Sequence, residues 1–375
     1  MEILKPAELL LRRFLLRILR FVVKRGRPLP RDLDCSAKKY LFVRQDRIGD
    51  VLVSTSLLHA LKTRYPAATV DFLLSTNNHF VLLNEPLVRK RWVYERSFAS
   101  AVKIILALRK EHYDFVIDLM DNPSATSTIF CALAGGVWNV GLSKENAYSY
   151  DVVVPLLSRR ETHIIDRLAM LLTVFGIDPA DADMNVHYSV LDENKRFAAE
   201  TFAKAGLAGK QVVGINISPG EGTRFWGTEN YQALIRWLRS AFQDSPILLL
   251  FQPSDKAVAE GIAKPLPEVI LSPETRTFDE FSGLIENLWI LITPDTSAVH
   301  LAAAFSIPSV VLYVQSNKDL RVWEPYGSRS ETVVTEVDDL RTISVESVTQ
   351  AVERLTMIAA TKARIGRHPA GPSVL

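Results

Sequence analysis

Thr293-Pro294-Asp295-Thr296-Ser297-Ala298-Val299-His300-Leu301-Ala302-Ala303-Ala304 is the stretch that decides the fold of this chain. Ahead of it, Leu288-Trp289-Ile290-Leu291-Ile292 is a short apolar run bounded by a proline, the pattern of a buried parallel strand. Behind it, residues 299–305 have the composition of a packed helix. The turn between carries Asp295, Thr296 and Ser297, residue types that satisfy free N–H groups at a helix start. Strand, polar turn and helix N-terminus together favour an anion, because unpaired N–H groups and the helix dipole point out of the turn. His300 lies about one turn into the helix. It reads either as an anion ligand or as a buried, hydrogen-bonded histidine.

Working outward, strands and helices alternate. In the first half, strands are predicted at Tyr40-Leu41-Phe42-Val43, Val70-Asp71-Phe72-Leu73-Leu74, residues 114–119 and residues 137–141. Helices are predicted over 50–64, 98–111, 124–134 and 161–175. Residues 176–183, rich in Asp, Ala and Pro, read as a hinge, after which the rhythm restarts. Strands follow at 212–217, 247–251, 269–271 and 309–313, with helices at 231–242, 257–263, 278–287 and 345–360. This predicts an α/β protein of two doubly wound, Rossmann-like domains facing a cleft, ligands binding at the carboxyl ends of the strands. The expected organisation is a helix and linker over 1–38, a first domain over 39–180, a second over 181–364, and a loose tail over 365–375.

A chain of 375 residues favours two domains, and 48% hydrophobic with 23% charged residues is ordinary for a globular protein. Two cysteines are too few for a disulfide framework, which fits a reducing, cytoplasmic compartment. The net charge of +2 is uneven: residues 1–31 carry +7, leaving −5 on the remainder. A mildly acidic body argues against nucleic acid as a partner. Within residues 9–25, Arg13, Arg17, Arg20 and Lys24 fall in one arc at about 100° per residue. Leu10, Leu11, Phe14, Leu15, Ile18, Phe21 and Val22 fill the opposite arc. Arginines interrupt every apolar run, so the segment suits a membrane surface rather than a membrane span, or else a helix packed on protein.

Two further turns carry chemistry. Arg44-Gln45-Asp46-Arg47-Ile48-Gly49-Asp50 follows the first strand, and a carboxylate at Asp50 opens a helix where it could accept a proton from a bound hydroxyl. A plain helix cap is the alternative. Ser218-Pro219-Gly220-Glu221-Gly222-Thr223-Arg224-Phe225-Trp226 follows the first strand of the second half, and Arg224 offers a forked cation suited to phosphate oxygens. Trp226 by itself reads as an apolar plug against the helix behind it. Arg89-Lys90-Arg91 reads as a solvated patch, or as a contact for an acidic acceptor. The chain has no G-x-G-x-x-G after the first strand, no G-x-x-x-x-G-K-[ST], no H-E-x-x-H and no G-x-S-x-G. Its histidines and cysteines show no metal-ligand spacing.

Taken together, the three turns resemble those of the family 9 glycosyltransferases, the group that contains the ADP-heptose:lipopolysaccharide heptosyltransferases. The R-x-D-R-x-G-D segment is matched by residues 44–50, the basic residue two before a Trp by Arg224 and Trp226, and D-[TS]-G-x-x-H-L-A-A by residues 295–303. The resemblance covers roughly residues 39–360, with Arg224 where a Lys is common and Ser297 where Gly is usual. It implies a GT-B type fold and an inverting, metal-independent transfer from a nucleotide sugar, ADP-heptose, to a lipopolysaccharide core acceptor. No cofactor is implied. Asp50 would be the catalytic base, with Arg47 and Gly49 on the acceptor side. Ser218, Arg224, Asp255, Asp295, Thr296, Ser297 and His300 would bind the donor. A glycolipid acceptor and the 9–25 segment would both place the enzyme on the inner face of the cytoplasmic membrane. A family 9 transferase using another nucleotide sugar, or an inactive scaffold of the same fold, are the alternatives. The joint presence of Asp50, Arg224, Asp295 and His300 speaks against the scaffold.

Overall fold

The computed structural model describes residues 14, 17–21, 23, 26–315 and 321–365, with side chains described as far as residue 357. The helix expected over 9–25 therefore lies largely, and the tail over 366–375 wholly, outside the described residues. The chain divides into two compact units, Met1–Ser189 and Val190–Leu375, later than the boundary at 180/181 expected from the sequence.

The first unit is built from β1 (Lys39–Val43), α1 (Ile48–Arg64), β2 (Thr69–Ser75), β3 (Val88–Tyr94), α2 (Phe98–Glu111), β4 (Phe115–Asp118), α3 (Ala125–Leu133), β5 (Trp138–Leu142), β6 (Val152–Val154) and α4 (Ile164–Ala169). Its strands form one parallel sheet in the order β3-β2-β1-β4-β5-β6. Tyr40, Leu41, Phe42 and Val43 are all buried, as a strand covered on both faces requires. Leu41, Val43, Leu73 and Val116 share one face of the sheet and pack against Ile104 and Leu108 of α2 and Phe130 and Cys131 of α3.

The second unit comprises α5 (Asp192–Lys204), β7 (Val213–Asn216), α6 (Thr228–Ala241), β8 (Ile247–Leu250), α7 (Lys256–Ala263), β9 (Ile270–Leu271), α8 (Phe278–Glu286), β10 (Ile290–Pro294), α9 (Ser297–Ala304), β11 (Ser309–Tyr313), β12 (Ser330–Val334) and α10 (Val345–Ile365). The sheet order, β12-β11-β10-β7-β8-β9, repeats that of the first unit strand for strand. Trp226 is fully buried, donates from Nε1 to the Ile343 carbonyl at 2.9 Å, and meets Tyr231 of α6 edge-on at 5.2 Å. It is the plug against the following helix that the sequence suggested, and truncating such a side chain costs about 3–5 kcal/mol.

Two elements differ from expectation in kind. The single helix predicted over 161–175 is a short α4 capped by His163, whose Nδ1 accepts from Ile165 N–H, followed by a 3₁₀ segment, Met170–Phe175. Tightening to i→i+3 bonds and the left-handed Gly176 (φ 69°) end it. The Arg89-Lys90-Arg91 run is no free patch but part of edge strand β3. Arg89 pairs with the fully buried Asp71 and with Glu111, Lys90 pairs with Glu111 and lies 3.7 Å over the Trp92 ring, and Arg91 donates to the Leu82 carbonyl.

Both sheets reverse strand order between their two central strands: β1 and β4 in the first unit, β7 and β10 in the second. At such a switch point the connections leave to opposite faces, opening a crevice at the carboxyl ends of the strands. The residues singled out in the sequence follow β1, β7 and β10, apart from Asp255, which follows β8.

Candidate active site

In the first unit the site begins with a buried cation. Arg44, directly after β1, is fully buried. Its Nε donates to the Asp50 carbonyl at 3.0 Å, one terminal nitrogen donates to Asp50 Oδ1 at 2.9 Å, and the other donates to the carbonyl of Leu119 just past β4. One guanidinium thus ties the two central strands together across the switch point and fixes the start of α1. Asp50 lies in the first turn of α1, is 5% exposed, and accepts the Arg47 N–H at Oδ2, 3.3 Å away. Its position is set from two sides, with the helix dipole favouring the negative charge. Asp46 Oδ1 lies 3.4 Å from Arg44 Nε. The Asp46 carboxyl is pushed up to about 7 by burial, with Arg44 opposing and Asp50 adding to the rise. Gly49 sits inside α1 between Arg47, its N-cap, and Asp50.

A second buried pair stands beside this one. Arg167 of α4 donates to Asp121 at 3.0 Å, and Lys144 pairs with Asp118 at the end of β4. The Tyr150 hydroxyl also donates to Asp118, and both burial and that carboxylate hold the phenol well above its ordinary range. The carboxyl end of the first sheet is therefore a layer of buried, mutually compensated charge.

In the second unit the equivalent tie is an amide. Asn216 closes β7, and its Nδ2 donates to Thr293 Oγ1 at 3.0 Å and to Thr296 Oγ1 at 3.4 Å, linking β7 to β10 and to the N-cap of α9. Its Oδ1 accepts from Ser218 N–H at 3.2 Å. In the sequence Asn216 is one more residue of the strand expected over 212–217. Thr296 caps α9, accepting from Ala298 N–H at 3.3 Å, with Ser297 as the first helical residue. Arg224 donates to the Asp295 carbonyl at 3.3 Å and lies 4.0 Å from its carboxylate, so a half-exposed guanidinium stands at this helix start. Such an exposed ion pair is weak and readily gives way to a phosphate oxygen. His300 is buried on the same helix, its ring 6.4 Å from that of Trp323.

The remaining donor candidates shape the loop after β7. Ser218 Oγ accepts from Gln252 N–H at 2.8 Å, and Asp255 Oδ2 accepts from Gly220 N–H at 2.9 Å. A Cβ on Gly220 would stand 3.0 Å from Asp255 Cγ, so a larger residue there would press on the carboxyl group that holds the loop. Asp255 is buried and holds the 218–222 turn in place through Oδ2. The structure thus brings together Arg44, Arg47, Gly49 and Asp50 in one unit, and Ser218, Arg224, Asp295, Thr296, Ser297 and His300 in the other. Among the described residues no group of three or more His, Cys, Asp or Glu could hold a metal ion, and no helix is long and apolar enough to cross a membrane.

Comparison with known proteins shows the family and the fold. The family model for glycosyltransferase family 9 (heptosyltransferase) matches residues 101–353, more than half of the chain, taking in the later part of the first unit and most of the second, although the turn after β1 lies outside the match. Lipopolysaccharide heptosyltransferase 3 of Escherichia coli K12 is 26% identical over 297 residues, covering 74% of this chain and 82% of the relative. Lipooligosaccharide heptosyltransferase 2 of Haemophilus influenzae is 26% identical over 292 residues, covering 73% and 82%. Among solved structures, a family 9 glycosyltransferase of Veillonella parvula superposes with a TM-score of 0.75 at 17% identity, covering 87% of this chain and 99% of that one. E. coli ADP-heptose heptosyltransferase II superposes with a TM-score of 0.68 at 20% identity, covering 86% and 99%. The two switch-point turns are thus set in a shared GT-B type scaffold, and the chain belongs to glycosyltransferase family 9, the heptosyltransferase family, and is a glycosyltransferase.

Proposed function

We propose that this chain transfers a heptose from an ADP-linked donor to a sugar hydroxyl of a lipopolysaccharide core. The observation that carries the mechanism is the fixed carboxylate of Asp50, held between Arg44 and the Arg47 N–H at the switch point of the first unit. Asp50 takes the proton of the acceptor hydroxyl as the oxygen attacks the anomeric carbon of the donor. The bond from that carbon to the β-phosphate oxygen breaks, and the nucleoside diphosphate leaves with the electron pair. Arg224, the first-turn N–H groups of α9 and the side chains of Thr296, Ser297 and His300 stabilise the charge growing on the leaving group. Arg47 and Gly49 flank the acceptor. Asp46 is the second candidate base, because a carboxyl displaced to about 7 is matched to proton transfer near neutral pH. The family membership and the curated heptosyltransferase relatives support the heptose; the capped helix start with Arg224 supports the diphosphate.

The acceptor is membrane-borne in this reading, and residues 9–25 bind the cytoplasmic face of that membrane. Phe14, Ile18 and Phe21 are exposed rather than packed on the protein. A thermal-shift series tests the donor. A ligand at about 100 times its dissociation constant stabilises by about 2.7 kcal/mol, so ADP and ADP-linked heptose should raise the transition while UDP and GDP leave it in place. Equal shifts with UDP or GDP would remove the ADP assignment.

A further inference from the structure

Helix α2 is apolar on two faces, and only one is covered. Ile104 and Leu108 point into the core of the first unit. On the outer side Phe98 is 86% exposed, Leu106 59% and Val102 40%, a stripe at i, i+4 and i+8. Leu133, at the end of the neighbouring α3, is exposed as well. Single exposed apolar residues are ordinary, but a continuous stripe marks an interaction surface. At about 100° per residue, Arg109 lies within the stripe, and Lys110 and Lys103 border it on one side. All three are exposed. A cavity of about 390 Å³ lined by residues of β3 and α2, among them Arg91, Trp92 and Lys103, opens beside it. The acids nearby are the exposed Glu95 and the half-buried Glu111, and Glu111 is already neutralised by Arg89, Lys39 and Lys90.

We infer that the outer face of α2 docks on an anionic lipid bilayer. The stripe enters the acyl boundary while Lys103, Arg109 and Lys110 meet phosphate groups, the arrangement of an interfacial amphipathic helix. A second copy of the chain is a poorer occupant, since a two-fold interface would set this cationic face against itself. Because α2 follows β3, its N-terminus lies at the carboxyl end of the sheet, the end that carries the Arg44–Asp50 turn. Docking through α2 would therefore hold the bilayer beside the turn that takes the acceptor. The inference deepens the membrane part of the proposed function and rests on it only for the presence of a membrane-borne acceptor.

The test uses the full chain with Arg13, Arg17, Arg20 and Lys24 replaced by Gln, so that residues 9–25 no longer attract anionic lipid. Flotation with phosphatidylcholine vesicles, with and without one third phosphatidylglycerol, should show that this parent still binds the anionic vesicles. Adding Lys103→Glu with Lys110→Glu, or Leu106→Asp alone, should weaken that binding by at least about tenfold. These positions are exposed, so the thermal transition should not move. Transfer to a soluble core saccharide, assayed alongside, should stay at the parental rate, which keeps a failure here separate from a failure of the heptose assignment. A parent that does not bind, α2 variants that bind as the parent does, or a dimer in sedimentation that Leu106→Asp dissolves would each overturn the inference.

Discussion

Arg44 is a cation without access to water, and three groups answer for it: Asp50, Asp46 and the Leu119 carbonyl. The sequence showed the R-x-D-R-x-G-D spacing but not that its first residue is the keystone, because the partner carbonyl comes from β4, far along the chain. Asn216 was illegible for the same reason. One amide at a strand end acquires its role from Thr293, 77 residues away. Asp46 yields a prediction with a definite sign. Its native carboxyl is raised from 3.8 to about 7, so between those pH values the folded protein keeps a proton that the unfolded chain has released. Stability therefore falls as pH rises through this window and levels off above it. In Asp46→Asn the decline should be flattened, as read from urea midpoints between about pH 4 and 8. Parallel curves for the two proteins would show that Asp46 is not held protonated. Replacing Arg44 itself by Met should cost several kcal/mol, because it leaves the buried Asp50 carboxylate without its counter-ion.

Among the elements, those in the middle of each sheet were legible, and of the edge strands only β9, expected at 269–271, was. β1, β4, β7 and β10 are nearly continuous apolar runs because both faces are covered. β3, β6 and β12 were missed: β3 hides under Arg89, Lys90 and Arg91, β6 is three residues long, and β12 is half exposed. Charged or short edge strands protect a sheet from pairing with others, and the same features erase the apolar pattern. α5 was missed as well, since it buries only Ala198 and Phe202. The start of α9, by contrast, was legible from its cap and its histidine. If that start holds the diphosphate, Arg224→Ala and His300→Ala should each weaken ADP binding in calorimetry by about ten- to a hundredfold, the range for a lost charge-assisted hydrogen bond. Thr296→Ala should weaken it too, and lower stability by about 1 kcal/mol through loss of the cap. Unchanged affinity in both Arg224→Ala and His300→Ala would move the nucleotide elsewhere.

At the scale of the whole molecule, one plan is used twice. Each unit is a six-stranded parallel sheet with the same order, and each has a polar side chain bridging its two central strands at the carboxyl end. In the first unit the bridge is a guanidinium that fixes an acid; in the second it is an amide that fixes a helix start. In the proposed mechanism the first half would accept a proton and the second would hold the leaving anion. Asp50→Asn separates this account from a purely structural one. The amide retains the shape and its one oxygen can still accept the Arg47 N–H, while its NH2 then faces Arg44, which keeps Asp46 beside it; the folded fraction is therefore measured alongside. The decisive measurement is kcat for heptose transfer by Asp50→Asn with donor saturating, on protein whose folded fraction and ADP affinity match the wild type. The account predicts a loss of about 10²–10⁴-fold; a loss of less than about tenfold would contradict it and remove Asp50 as the base.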